Sequence, residues 1–188
     1  MGFGHSMFGE GNVNLPISSG YVHYILPSIT RSTKIASATE PIGTMVQDRQ
    51  TAIAGLIGSH PSLIPVDAKI ETMDGKTHPM RYEVVRHRDF SALVTMIGIW
   101  NLINGIEISS GDHAVNINAR ISLKDQPNLA SREIVRRNVY SSSGSPGLQA
   151  ALSLSPLFDL ISNEYARVDV ERVEINIRIE DKRKTAVI

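Results

Sequence analysis

Apolar residues come in short bursts up to about residue 61 and in longer, regular periods after it. In the first stretch, Tyr21–Leu26 is aromatic and β-branched, bounded by Ser18-Ser19-Gly20 and Pro27, which predicts a strand. Thr33–Ser37, Ile42–Gln47 and Thr51–Ile57 read as further short strands, with Gly55 and Gly58 marking bulges or close backbone approaches. Ser59-His60-Pro61 closes the stretch as a turn. Such a density of short strands and glycine turns predicts a fragment of a β-barrel or sandwich.

From residue 62 the periods lengthen. Leu63–Thr72 and Pro79–Arg86 are strand-like, and Met73-Asp74-Gly75-Lys76 between them is a hairpin signal. Asp89 reads as a helix N-cap before Phe90, Leu93, Val94, Ile97 and Trp100, spaced three and four apart. That stripe, Trp100 included, is expected to be core, and Gly105 is the expected stop. Val115–Leu123 alternates strictly, apolar on one side and Asn116, Asn118, Arg120 and Ser122 on the other, as a strand with one wet face does. Ser131–Tyr140 is its expected partner. A helix follows over Leu148–Tyr165, with Pro156 either kinking it or opening a second one. Val168–Ile179 alternates again, with a phase slip near Arg172-Val173. The expected class is therefore α+β: a β-rich segment over residues 1–61, then a strand-strand-helix-strand-strand-helix-strand module over 62–188, two helices on one face of an antiparallel sheet.

Composition narrows the function classes. With 188 residues, 41% hydrophobic and 20% charged, the chain can form one substantial core or two small ones. Lysines plus arginines equal aspartates plus glutamates at 19 each, so no overall field points to nucleic acid. The basic Lys182-Arg183-Lys184 follows Glu180-Asp181, which offsets it. There is no cysteine, hence no disulfide and no thiolate metal site. The apolar run from Ala92 to Ile106 is interrupted by Thr95, Gly98, Asn101 and Asn104, so no membrane span is expected. The histidines lack metal-ligand spacing and Gly9-Glu10-Gly11 lacks the lysine of a phosphate loop, so neither a metal nor a cofactor is expected.

The candidate chemistry starts at Gly2-Phe3-Gly4-His5, followed by Gly9 and Gly11. Glycines permit φ > 0 and leave the imidazole unobstructed, so His5 is a candidate general base; a purely structural hydrogen bond is the alternative. A second motif runs Gly43-Thr44-Met45-Val46-Gln47-Asp48-Arg49, then Ile53-Ala54-Gly55. Asp48 reads as a turn residue accepting backbone N–H bonds, with Arg49 paired locally; the other reading makes it the acid that orients His5.

Together these motifs, with Pro16, Pro27 and Lys34 in order between them, resemble the SpoIVB-type serine peptidases, and most closely their larger secreted bacterial relatives. The resemblance covers residues 2 to about 70 best and continues weakly through Val84–His87 and the region of Asn163. It implies a trypsin-like peptidase segment, a partial domain in which the Gly-His motif supplies the base, acting on protein or peptide substrates in an exported or cell-envelope setting. It further implies that an export signal and the relatives' upstream nucleophile motif lie outside this chain, which is then inactive by itself. Laid on the family's Gly-Met-Ser-Gly-Ser-Pro, Ser141-Ser142-Ser143-Gly144-Ser145-Pro146 makes Ser143 the nucleophile. Ser141 and Ser142 replace the family's Gly and Met, and a side chain at the first of these disturbs an oxyanion turn. The same segment also has the composition of a loop leading into a helix. The competing reading is a non-catalytic binding or assembly module on the same scaffold, self-associating through strand edges.

Overall fold

Strands longer than the sequence pattern suggests build the first part of the molecule. A computed structural model describes residues 9, 11–29, 32–106, 113–124, 133–142, 145–163, 165 and 168–181. Within it, β1 (Gly11–Pro27) pairs antiparallel with β2 (Ser32–Arg49), and β2 pairs antiparallel with β3 (Ala52–Ile57). The segments expected as separate strands at Thr33–Ser37 and Ile42–Gln47 are one strand, continuous through Pro41. Register shifts at Ile17/Ser18 and Ser18/Gly20 flank the Ser18–Pro41 pair, so bulges absorb the proline that otherwise ends a ladder. The sheet order is β1-β2-β3, which leaves β1 and β3 as its two edges. Among the described residues this is an open sheet and not the closed barrel of a trypsin-like domain.

Two compact units divide the chain: residues through Ser62 together with Val85–His87, and Leu63–Val84 together with Arg88 onward. The first unit has a small core around Leu15 and Met45, with Thr44 and Asp48 also buried. Gly55 on β3 leaves room for the Ile17 side chain, whose terminal methyl a Cβ there would meet first. Gly58 has φ +79, which only glycine adopts without strain. Within the same unit, the Arg86 N–H donates to Ser62 O at 3.1 Å and its guanidinium to Ser62 Oγ at 3.0 Å.

The second unit is a five-stranded sheet in the order β5-β4-β8-β6-β7, with three helices. Its elements are β4 (Leu63–Glu71), β5 (Thr77–Val85), α1 (Ser91–Asn104), β6 (His113–Leu123), β7 (Glu133–Ser142), α2 (Pro146–Ser153), α3 (Pro156–Ile161) and β8 (Val170–Asp181). Gly75, at φ +79, makes the β4–β5 turn. The expected element order holds, with one correction: the last strand enters between β4 and β6 and runs parallel to β4, so the sheet is mixed. Of the two outcomes expected at Pro156 the second is seen: it opens a helix of its own, because a proline is accommodated at a first helical turn and not inside one. The phase slip expected near Arg172 is a register irregularity: Ser122 pairs with Arg172 but Leu123 with Val170, leaving out Glu171.

The core lies between one sheet face and the helices. Val66, Ala68 and Ile70, Val115, Ile117, Ala119 and Ile121, and Val173, Ile175, Ile177 and Ile179 form its floor. Ala92, Ile99, Ile103, Ala150, Leu154 and Leu157 form the roof. Here the stripe expected for α1 is overturned. Ser91, Ala92, Thr95, Ile99 and Ile103 face inward, while Leu93, Val94, Ile97 and Trp100 are about two-fifths exposed. Small residues at Ser91, Ala92 and Gly98 let the helix approach the sheet closely, which puts Ile99 and Ile103 on the same inner face; a Cβ on Gly98 would sit 2.7 Å from the Tyr82 ring. Asp89 is not the cap either: Phe90 holds that position and no side-chain cap bond forms there. Gly105 does end the helix, with φ −78, donating its N–H to Asn101 O at 3.0 Å.

Candidate functional site

Asp48 stands near the end of β2, opposite Gly11 on β1 and Ile53 on β3. It is fully buried, and its Oδ2 accepts the N–H of Gly9 at 2.9 Å. A buried carboxylate needs hydrogen-bond donors, and a backbone N–H aimed at it is one efficient kind. The chain presents that N–H because Gly9 and Gly11 both adopt positive φ, 73 and 86, a geometry that other residues reach only with strain. Two glycines and one acid therefore fix how the chain enters β1, a few residues after the Gly-His motif. The expected backbone-accepting role of Asp48 is seen. The expected local pairing of Arg49 is not: Arg49 is exposed and makes no ion pair with a described residue.

His5 and Ser143 lie outside the described residues. The neighbourhood of Ser143 is partly defined. Ser141 and Ser142 are the last residues of β7, paired in register with Ala114 and His113. Ser145 is the N-cap of α2 in extended conformation, with Pro146 at the first helical turn and no side-chain cap bond. Asp48 belongs to the first unit and this strand-to-helix connection to the second.

Thr44, four residues before Asp48, is also buried, and its hydroxyl has no hydrogen-bond partner among the described residues. The sequence gives no signal of this, since threonine is common in strands. Elsewhere the electrostatics are local and structural. At the β4–β5 turn, the Lys76 ammonium, 2.7 Å from Asp74, and the Thr72 hydroxyl hold the Asp74 carboxyl far below the usual carboxylate range, and the same pairing raises Lys76. Burial pushes the Tyr82 phenol well above its ordinary value while its O–H donates to Thr95 O at 2.9 Å.

Among the described residues no group of histidines and carboxylates is placed to hold a metal ion, and no helix is long and apolar enough to cross a membrane. No protein-family model matches the chain, and neither does any curated protein or solved structure.

Proposed function

We propose that the first unit supplies the base of a SpoIVB-type serine endopeptidase, with His5 as the base and Asp48 as the acid that orients it. The observation that carries this reading is the fully buried Asp48 carboxylate bound to the Gly9 N–H. His5 precedes Gly9 by four positions, a reach of about 14 Å at most, so the imidazole is within reach of the carboxylate on this reading. In such a site the imidazole takes the proton of a serine hydroxyl as that oxygen attacks the peptide carbonyl. The carboxylate fixes the tautomer and stabilises the imidazolium that forms. Among the described residues no strand pairs with the outer edges of β1 and β3, and on this reading such an edge offers an extended substrate main-chain hydrogen bonds. Ser143 is the one nucleophile this chain offers through the family motif. With its altered turn, the chain alone is expected to leave peptides uncut.

The test is the titration of His5 by NMR, assigned with His5→Gln. Pairing with Asp48 raises its midpoint above about 6.5, and Asp48→Asn lowers it by about one unit. A midpoint that Asp48→Asn leaves in place reduces Asp48 to a backbone anchor and removes the catalytic reading. Covalent labelling by a fluorophosphonate, lost in Ser143→Ala, would in turn show that the chain carries its own nucleophile.

A second reading rests on the outer half of the β1–β2 hairpin. Tyr21, Tyr24, Ile25, Leu26 and Ile29 are all more than half exposed there, far more apolar surface than a free hairpin keeps without a partner. On this reading the hairpin is an assembly arm. Sedimentation that depends on concentration and is abolished by Tyr24→Glu with Leu26→Glu supports it, and a monomer at all concentrations removes it.

A further inference from the structure

The helices of the second unit cover their sheet incompletely at one place. Along the inward face of β6, Val115, Ile117, Ile121 and Leu123 are bulky, and Ala119 alone among them is small. On the roof side, α3 begins at Pro156 and ends at Ile161, only six residues later. Between the two lies a cavity of about 210 Å³. Ala119, Ile121 and Val173 form its floor, and Leu154, Leu157 and Leu160 its walls. All of these except Leu160 are 4% exposed or less, so the cavity reaches into the core. Three polar residues complete the lining. The Ser153 hydroxyl donates to Ala150 O at 2.6 Å, and Asn163 Oδ1 accepts the Tyr165 N–H at 2.8 Å. Asp159 is exposed and stands at the mouth. The cavity belongs wholly to the second unit and shares no residue with the peptidase and assembly readings of the first.

We propose that this cavity binds a free, uncharged apolar molecule, one six-membered ring carrying a short alkyl group. Polarity selects the class. The floor and walls are hydrocarbon, the Ser153 hydroxyl is already spent, and the one carboxylate faces water at the mouth. A water molecule inside needs about two to four polar partners, which this lining does not turn inward. An ionised head carried to the floor would be buried without a partner, which sets fatty acids and other carboxylates aside. Volume selects the size. An apolar cavity of about 150 Å³ stays dry and takes up benzene, and the larger volume here leaves room for about two more carbons. The ligand restores the dispersion contacts that the small Ala119 and the short α3 leave unmade. Depth selects a free molecule, because the floor residues lie in the core, where a ring enters whole but the main chain of a peptide would leave polar groups unpaired.

The test titrates ethylbenzene into the whole chain and follows methyl-resolved NMR. The expected result is saturable shifts with a dissociation constant of about 1 mM or tighter, and intermolecular NOEs to the Leu157 and Val173 methyls. Phenylacetate, the same ring with a carboxylate, should bind about tenfold more weakly, a comparison that needs no variant. Leu160→Asp places a charge at the partly exposed edge of the wall and should weaken ethylbenzene about tenfold, with a thermal transition matching the wild type to show that the fold is kept. Ala119→Leu fills the floor and should reduce binding by a similar factor. Three results each overturn the proposal: no saturable shift up to the solubility of ethylbenzene, equal binding of phenylacetate, or tighter binding of acetyl-phenylalanine amide, in which a peptide carries the ring.

Discussion

Gly43 and Gly20 lie in the same sheet, neither at positive φ, and differ in what a methyl group would meet. At Gly43 a Cβ would be 2.2 Å from the carbonyl oxygen of Leu56 and 3.0 Å from the Cα of Ile57. Both are backbone atoms of β3, paired across from Gly43 and Thr44, and cannot rotate away. Gly43→Ala must therefore push the two strands apart by about 1 Å, straining a ladder that ends in the 2.8 Å bond from the Gly58 N–H to Ile42 O. Overpacking of this kind costs about 3 kcal/mol, at the upper end of the usual range because the obstacle is rigid. The lower entropy of the unfolded alanine chain returns about 0.7 kcal/mol. The net loss is about 2 kcal/mol, or about thirtyfold faster hydrogen exchange at β2 and β3 amides that open with the unit. Gly20→Ala meets only Ser37 O at 3.4 Å and keeps the entropic gain alone, so exchange there slows about threefold. Fluorescence of Trp100, on α1 in the second unit, serves as the internal reference and should move in neither variant. Equal exchange rates in the two variants would show that the sheet yields freely at Gly43 and that the steric reasoning is wrong.

Three further outcomes follow from single groups. Tyr82→Phe loses the bond to Thr95 O and about 1 kcal/mol in urea unfolding. In the wild type the raised Tyr82 value means that stability is intact below the unfolded phenol value of about 10 and falls as pH rises beyond it, a slope that the phenylalanine variant should reduce. The Asp74 carboxyl should titrate well below the usual carboxylate range by NMR and move back up in Lys76→Met; its small contribution is present above the unfolded value of about 3.9 and is lost as pH falls. Thr44→Val replaces a buried hydroxyl that has no partner among the described residues, so hydrogen exchange in β2 should slow or stay level. A marked acceleration would reveal a bond to that hydroxyl.

The parts of the fold legible in the sequence are those set by local pattern. The Asp-Gly turn, the alternation of β6 and the slip in β8 each follow from a few neighbouring residues, and each stands where the pattern puts it. The inner face of α1 was not legible, for a physical reason. Its sequence is apolar almost all round, so spacing alone does not decide which stripe packs inward, and the close approach allowed at Ser91, Ala92 and Gly98 turns Ile99 and Ile103 to the core rather than Leu93, Val94, Ile97 and Trp100. The continuity of β2 was hidden as well, because its interruption at Pro41 looks like a strand end until β1 supplies bulges opposite it. Parallel entry of β8 beside β4 is a long-range choice on which local periodicity has no bearing.

The same division runs through the candidate sites. Asp48 and the glycines that serve it are readable because the chemistry is local: φ > 0 needs glycine, and a buried carboxylate needs an N–H. The candidate nucleophile segment divides the same way. Ser141 and Ser142 end β7 and Ser145 stands at the N-cap of α2, as a loop leading into a helix should. The contacts that place this connection in a different unit from Asp48 are long-range, and no motif announces them.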